Sequence, residues 1–387
     1  MRWTMLILIP AMLLLSGCWD KSELVEFGYV QAVAIDLSPQ GKFELTTQFY
    51  KSGGAPDTNG QSQQASKTLN IRTRGGTIYE AIRSIPNQLG REAKWDHMRV
   101  ILVGERMARQ ESIDKVLDFF SRDLEPRGTI YCMIAAGKAS AYLNVKPFVE
   151  NTIGQQLRKM EETGAQYSSR TSRVPLLDLM IQLKDGARVA TIPYVHRDKA
   201  SDQVSVSGIA LLKEGKLIGS RIAPDQTPAL IMLLNKYKSG IVKLRCPGTE
   251  DDKAAQESFE VITLSTRVTP HIREDKVNVH IGIVITGSVG ELQCSSLMTR
   301  EEGSRFEQKV QKQVARNVNS VLALLQKKQL DALGIGNQIY RRHPSLWKKW
   351  KPSWDRRFGE IAFKVDVKVN VLHTGMNLGK PFQKEVE

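Results

Sequence analysis

Apolar and polar residues alternate along the first half of the chain in a pattern that predicts interleaved strands and helices. Residues 25–36 and 42–50 are rich in apolar and β-branched positions and flank the turn-forming Ser38-Pro39-Gln40-Gly41, which predicts a β-hairpin. Residues 51–67 have almost no apolar content and predict a long surface loop. The elements predicted next are a helix capped by Thr77, a strand at 98–103, a helix at 105–120, a strand at 129–135, and helical segments at 146–163 and 175–183.

The second half opens with another hairpin pattern. Residues 204–213 and 216–222 flank the turn Glu214-Gly215, which predicts two paired strands. Thr227 followed by Pro228 predicts the start of an apolar helix, with Thr227 as its N-cap. Two further strands are predicted at 261–268 and 277–285.

The longest predicted element is an amphipathic helix near the C-terminal end. Ser304 and Glu307 have the spacing of a capping box, which predicts its first turn. Its apolar stripe consists of Phe306, Val310, Val314, Val318, Val321, Leu322 and Leu325. Residues 359–371 then alternate apolar and polar side chains and predict a half-buried strand, so the helix and this strand are expected to pack face to face.

These elements predict an α+β fold with mixed sheets, divided into two or three domains. A chain of 387 residues with 41% hydrophobic content is long enough to bury more than one core. The charged residues near 195–203 mark the expected boundary. It separates an N-terminal α+β domain at 18–197 from a C-terminal α+β region at 200–380, and a further division of that region near 245–300 stays open.

The first residues have the features of an export signal. Met5 to Leu15 form an apolar run behind the basic Arg2, and a helix of that length spans about 16 Å, well short of a bilayer core of ~30 Å. Leu15-Ser16-Gly17-Cys18 resembles the lipobox of bacterial lipoproteins. The resemblance implies that residues 1–17 are a cleaved signal peptide and that Cys18 carries a diacylglyceryl lipid, with N-acylation left open. No other cofactor is expected.

The charge balance favours an anionic neighbour. The formal net charge is +14, and removal of residues 1–17, which contain the single basic residue Arg2, leaves +13. For an exported, lipid-tethered chain, that neighbour is expected to be phospholipid headgroups or envelope polymers rather than nucleic acid.

The four cysteines do not suggest a metal or redox site. They stand at 18, 132, 246 and 294 with no CxxC spacing. Cys132 lies in an apolar strand pattern and is interpreted as a small buried side chain. Cys246 and Cys294 could pair, but the sequence leaves this open.

Residues with catalytic chemistry are not gathered at motif spacing. The chain has no nucleophile elbow, phosphate-binding glycine loop or metal-binding helix motif, and its six histidines are scattered. Asp123 and Glu125 stand beside Arg122 and Arg127, and we interpret them as structural ion pairs because neighbouring arginines keep carboxylates ionised. The sequence therefore predicts neither an enzyme nor a metal site.

One stretch near the C-terminus combines aromatic and basic side chains. It comprises Trp347, Lys348, Lys349, Trp350, Lys351 and Trp354. One interpretation is a surface that faces a partner protein or the bilayer. The other is that the tryptophans are core residues and the lysines are merely solvated.

Several segments together resemble a known family. They are Gly17-Cys18-Trp19-Asp20, GTIYEAI at 76–82, HMRVILVGERMAR at 97–109, VLDFFSRDLEPR at 116–127, GIALLKEGKLIGS at 208–220, DALGIGNQIYRR at 331–342 and HPSLWKKWKPSW at 343–354. In this order they resemble the C-subunit lipoproteins of bacterial spore germinant receptors, the Ger(x)C family. The resemblance covers nearly all of residues 17–380.

That resemblance implies a non-enzymatic receptor subunit for assembly or signal relay in spore germination. It would lie on the outer face of the spore inner membrane with an A subunit and a polytopic B subunit, and would be needed for the response to nutrient germinants. The alternative from another class is a solute-binding lipoprotein that feeds a transporter, which requires a ligand cleft between two lobes. A cell-wall hydrolase would require a catalytic site that the sequence does not show.

Overall fold

The computed structural model describes residues 26–51, 67–198, 201, 203–246, 256–375 and 379–381. The predicted signal peptide at 1–17, the lipid-attachment residue Cys18 and nearly all of the predicted loop at 51–67 lie outside the described residues. The fold is α+β with mixed sheets, as the sequence predicts.

The first sheet has nine strands. They are β1 (Phe27–Leu37), β2 (Phe43–Tyr50), β3 (Thr68–Gly75), β4 (Glu92–Lys94), β5 (Val100–Gly104), β6 (Tyr131–Ala135), β7 (Val189–Arg197), β8 (Val204–Lys213) and β9 (Lys216–Leu217). Their order is β3-β2-β1-β5-β6-β7-β8-β9, with β4 beside β1. The central strands β1, β5, β6 and β7 are parallel, and antiparallel strands extend the sheet at both ends.

Helices cover both faces of this sheet. They are α1 (Ile78–Arg83), α2 (Pro86–Leu89), α3 (Glu105–Gln110), α4 (Ile113–Arg122), α5 (Ile153–Tyr167) and α6 (Leu176–Lys184), with a 3₁₀ turn at Ala139–Asn144. Apolar side chains of α1, α3, α4 and α6 form a core on one face, and those of α5 and the 3₁₀ turn form a core on the other. Helices on both faces explain why the central strands are apolar throughout.

Two predicted helices differ from the structure. The helix predicted at 105–120 is interrupted, because the Ser112 side chain accepts from the N–H of Asp114 and the carbonyl of Gly215 accepts from Ile113. The helix predicted at 146–163 begins only at Ile153, where Thr152 forms a capping box. Thr77 caps α1 as predicted.

The expected domain boundary falls inside a β-hairpin. Strand β7 pairs antiparallel with β8 on either side of it, from Val189 opposite Lys213 to Arg197 opposite Val204. This pairing continues the first sheet past the expected boundary, and the division into domains at this position stays a prediction. The strand predicted at 216–222 is also shorter, because Gly219 takes a left-handed φ of +62° just after β9.

The second half is built on a four-stranded sheet. Its strands, in the order β10-β11-β12-β13, are β10 (Gly240–Arg245), β11 (Gln256–Arg273), β12 (Lys276–Glu291) and β13 (Ala362–Val371). Its helices are α7 (Thr227–Leu233), α8 (Arg300–Lys327), α9 (Ile335–Arg342), α10 (Pro344–Trp350) and α11 (Trp354–Gly359). Hydrogen-bonded strands cross the interval 245–300, so the sheet does not divide there.

The long helix packs on the second sheet as predicted, but its start differs. All seven residues of the predicted apolar stripe are buried, and α8 contacts β13. The capping box is formed by Thr299 and Glu302, while the predicted partner Glu307 accepts a hydrogen bond from the N–H of Val371. Similarly, Thr227 is the first residue of α7 rather than its cap, because its hydroxyl donates back to the carbonyl of Ala223.

The two halves share part of a core. Val189, Ile209 and Leu211 of the first sheet pack with the apolar residues of the second half. Their strand neighbours Ala190 and Leu212 point into the first-half core instead. In the described part of the chain, no helix combines the length and apolarity needed to cross a bilayer.

Candidate contact surface

The three tryptophans of the aromatic and basic segment are core residues. Their exposed fractions are 4% for Trp347, 0% for Trp350 and 2% for Trp354. The lysines between them, by contrast, are exposed, and these are Lys348, Lys349 and Lys351. The tryptophans therefore cannot form the contact surface considered from the sequence, because their rings fill the interior. A contact role for the lysines stays a prediction.

Trp350 fastens this segment to the turn between β11 and β12. Its Nε1 donates to the carboxylate of Asp275 at 2.7 Å, and the Arg357 guanidinium donates to the same carboxylate at 3.1 Å. The guanidinium also lies over the Trp350 ring, 4.7 Å from its centroid. These hydrogen bonds, that of Arg357 first, hold the pKa of Asp275 below its ordinary value. The turn and the helices are thus tied together through one carboxylate.

A second carboxylate, Asp331, fixes the neighbouring helices. It is buried and accepts hydrogen bonds from the N–H groups of Ile335 and Gly336, at 3.0 and 2.6 Å, and from Nε1 of Trp354 at 3.0 Å. Burial raises the pKa of Asp331, and the hydrogen bonds oppose that rise. The Asp331 side chain therefore accepts hydrogen bonds from the free backbone N–H groups at the start of α9 and also holds α11 against that helix.

Glycines let the tryptophans pack at close range. Trp347 and Trp354 meet edge to face with ring centroids 5.1 Å apart. A Cβ atom placed on Gly336 would lie 2.6 Å from the Trp347 ring, and one on Gly186 would lie 2.9 Å from it. Gly186 precedes β7 of the first half, so Trp347 also lies where the two halves meet.

The exposed side of this segment is strongly basic. We call it the basic face, and its residues are Arg341, Arg342, Lys348, Lys349, Lys351 and Arg356. Asp355 is the single acidic residue between positions 341 and 357, and its carboxylate accepts from Lys213 at 2.6 Å. The basic face therefore keeps most of its positive charge and attracts anionic groups, an attraction that salt weakens.

A buried carboxylate cluster was missed by the sequence analysis. Glu257 accepts from the N–H groups of Gln293, Cys294 and Ser295, from the Ser295 hydroxyl and from Nζ of Lys309, at 2.5 to 3.2 Å. Burial alone would raise the pKa of Glu257, but the hydrogen bonds from Lys309, Ser295 and the backbone outweigh it and lower the pKa to about 2. Because both of its oxygens are hydrogen-bonded to the protein, the Glu257 carboxylate has a structural role.

The same cluster settles the pairing of two cysteines. Cys246 and Cys294 form a disulfide that closes a loop of 48 residues. The two sulfur atoms and a carboxylate oxygen of Glu257 all lie within 4.8 Å of one another, a spacing at which they could bind a metal ion. Because the sulfurs are bonded to each other and the carboxylate is fully engaged, we do not assign a metal site to this group.

The remaining residues singled out in the sequence have structural surroundings. Cys132 is buried in the first core, which raises the pKa of its thiol. Glu125 pairs with Lys94 at 2.7 Å, and Arg122 pairs with Asp118 at 2.8 Å. Glu125 and Arg122 therefore do form ion pairs, but with Lys94 and Asp118 rather than with the neighbouring residues that the sequence suggested.

Family models match both halves of the chain. Residues 20–197 match the spore germination protein N-terminal domain, and residues 207–375 match the spore germination B3/GerAC-like C-terminal domain. The chain belongs to the GerAC-like family of spore germination proteins. The family resemblance found in the sequence motifs is thereby confirmed.

Relatives of this GerAC-like chain in Bacillus subtilis (strain 168) align over nearly its full length. Spore germination protein KC is 22% identical over 392 residues, which cover 96% of this chain and 95% of the relative. Spore germination protein B3 is 26% identical over 376 residues, which cover 94% and 96%. The crystal structure of the GerBC protein superposes with a TM-score of 0.54 and 23% identity, covering 88% of this chain and 96% of that one. This last similarity shows a shared fold.

Proposed function

We propose that this GerAC-like chain is a non-enzymatic, lipid-anchored subunit of a nutrient germinant receptor. The observation that carries the proposal is the family match, which spans both halves of the chain. In this proposal, residues 1–17 are removed and the lipid on Cys18 holds the protein at the outer face of the spore inner membrane. The protein contributes to assembly or signal relay with the A and B subunits of the receptor.

Two of the buried carboxylates, Glu257 and Asp331, have structural surroundings, which supports a non-enzymatic role for them. Glu257 and Asp331 use their oxygens to bind backbone N–H groups and neighbouring side chains. An acid or base catalyst needs a proton-transfer group within reach of a substrate. These two carboxylates instead hold loops and helices in place.

The exposed lysines of the basic face are the proposed contact with the receptor or the membrane. Lys348, Lys349 and Lys351 project from a segment whose tryptophans and carboxylates fix it firmly to the second sheet. Replacing charges on a rigid, exposed surface changes binding without unfolding the protein, because the core contacts stay intact.

Co-purification of the receptor subunits from detergent-solubilised membranes tests both parts of the proposal. Cys18→Ala is expected to lose its partners, because the soluble protein is no longer concentrated at the membrane. The triple substitution K348E, K349E and K351E is expected to reduce recovery of the partners with an unchanged melting temperature.

A matched control places the same charge change elsewhere. Lys312, Lys327 and Lys368 are exposed lysines outside the basic face, and their triple substitution by Glu should leave recovery unchanged. Equal recovery of partners with both triple variants would refute the role of the basic face. Full recovery with Cys18→Ala would refute the role of the anchor.

A solute-binding lipoprotein is the second candidate, and one observation favours it. A cavity of about 1020 Å³ lies between the two halves, and its walls include Tyr167, Arg170, His196, Arg221 and Lys243. Its volume is close to the upper limit of small-molecule sites, which measure about 300–1,000 Å³. A rise in melting temperature with a germinant, abolished by Arg221→Gln, would support ligand capture by this subunit.

A further inference from the structure

A smaller cavity lies where the β11–β12 hairpin meets the corner between α9 and α10. Its volume is about 370 Å³. Apolar side chains line one part of it, and these are Pro270, Ile272, Ile339 and Leu346. The polar lining consists of His271, Arg273, Gln338, Arg342 and His343. The whole wall belongs to the described part of the chain, from residues 270–273 and 338–346.

The charged side chains that line the cavity are both arginines, which are positively charged and act only as hydrogen-bond donors. Arg273 and Arg342 contribute one guanidinium each, and no acidic side chain is among the described residues that line the cavity. Two like charges at the lining of one cavity repel each other, and an anion bound between them would relieve that repulsion. Asp275, two residues along the turn, is already bound by Trp350 and Arg357.

The cavity wall is held in place from both sides. The hairpin turn is fixed to α10 and α11 through Asp275, only two residues from Arg273. On the other side, Ile339 is buried with an exposed fraction of 1%, and Gln338 and Arg342 lie one helical turn apart on the same face of α9. The backbone positions of Arg273 and Arg342 are therefore fixed, while their side chains are exposed and accessible to a ligand from solution.

We propose that this cavity binds a phosphate group. A phosphate ester carries about −1.5 to −2 charges at neutral pH, which matches the two guanidinium groups, whereas a single carboxylate supplies only one charge. Guanidinium groups bind phosphate oxygens through paired N–H donors, and Gln338 and the two histidines add further donors. The phosphate belongs either to a phospholipid headgroup or to a soluble phosphate compound.

Isothermal titration of the full chain with inorganic pyrophosphate tests the site. Saturable binding with about one site per chain is expected. The double substitution R273Q and R342Q should weaken binding at least about tenfold, because both charge-assisted contacts are removed. Absence of saturable binding by the wild-type chain would overturn the proposal.

A matched control places the same charge change outside both the cavity and the basic face. Arg267 on β11 and Arg316 on α8 are exposed and do not line the cavity, so R267Q with R316Q makes the same change in net charge. Binding by this variant should stay within about twofold of wild type, since the distant charges act only through a screened field. Equal weakening by both double variants would reduce the effect to net charge and overturn the site.

Two further measurements keep the test decisive. If R273Q with R342Q lowers the melting temperature, R273K with R342K replaces it, and weaker binding at unchanged net charge is still expected because the paired N–H geometry is lost.

Titration with a short-chain phosphatidylglycerol identifies the source of the phosphate. Weakening by the cavity variant alone assigns a lipid headgroup, and binding of pyrophosphate without the lipid assigns a soluble phosphate compound.

Discussion

Glu257→Gln is expected to destabilise the second half strongly at neutral pH. The substitution keeps the size of the side chain but removes the charge that Lys309 and three backbone N–H groups bind. The side chain of Glu257 has no exposed surface, so water cannot replace these partners. Lowering of its pKa from the ordinary 4.5 to about 2 corresponds to about 3 kcal/mol, at about 1.36 kcal/mol per pKa unit.

The pH dependence distinguishes this mechanism from a simple packing defect. Because the pKa of Glu257 is lower in the folded chain than in the unfolded chain, its contribution is complete above about pH 4.5 and is lost as the pH falls towards 2. About 1 kcal/mol of it should remain at pH 3. The measurement is urea unfolding at pH 7, 4 and 3, followed by tryptophan fluorescence, which reports on the three buried tryptophans of the same half.

Glu260→Gln is the control on the same strand. Glu260 is exposed on β11, so its substitution should change stability by less than about 0.5 kcal/mol at each pH. The reasoning is refuted if Glu257→Gln unfolds at the wild-type urea concentration. It is equally refuted if the difference between Glu257→Gln and wild type is the same at pH 7 and pH 3.

Three further substitutions test the packing and the cross-link. Gly336→Ala should cost about 1–3 kcal/mol in urea unfolding, because its Cβ would lie 2.6 Å from the Trp347 ring. Gly303→Ala, in open space within α8, should instead stabilise the protein by about 0.5–1 kcal/mol in the same assay, since alanine favours a helix. Replacing Cys246 and Cys294 together by Ser should cost about 4 kcal/mol, the value for a closed loop of 48 residues, measured without reductant.

The local patterns of the sequence predicted the elements whose stability is decided locally. The apolar stripe of α8 repeats at helical spacing, so its burial against the second sheet followed directly. The strands predicted at 261–268 and 277–285 are the centres of β11 and β12. The end of β11 beside the turn, residues 269–273, was missed because the turn at Asp275 is stabilised by Trp350 and Arg357, about eighty residues away in sequence.

The tryptophan segment shows how one pattern can hide another. The alternation of Trp347, Trp350 and Trp354 with lysines resembles a contact surface. However, their spacing of three and four residues is also that of a buried helical face. Trp347 and Trp350 lie on α10 and Trp354 begins α11, and all three rings are buried. The helical spacing was the signal that could have identified these rings as core residues.

The Glu257 cluster had no comparable signal in the sequence. Its partners lie between residues 293 and 309, more than thirty positions away, and no spacing rule connects them. A glutamate followed by Ser258 and Phe259 in a strand pattern reads as an ordinary polar position. Only the folded sheet brings Lys309 of α8 and the loop at 293–295 to the same carboxylate.

Strands β7 and β8 couple the two halves mechanically. Side chains alternate along each strand, so Leu211 packs in the second-half core while its neighbour Leu212 packs in the first-half core. Lys213, next in the strand, reaches Asp355 of the second half at 2.6 Å. A displacement of the second half relative to this strand would expose apolar surface on Leu211 and break the Lys213 contact. Relative movement of the two halves is therefore opposed by the packing at these strands, because closely packed interiors yield little to displacement.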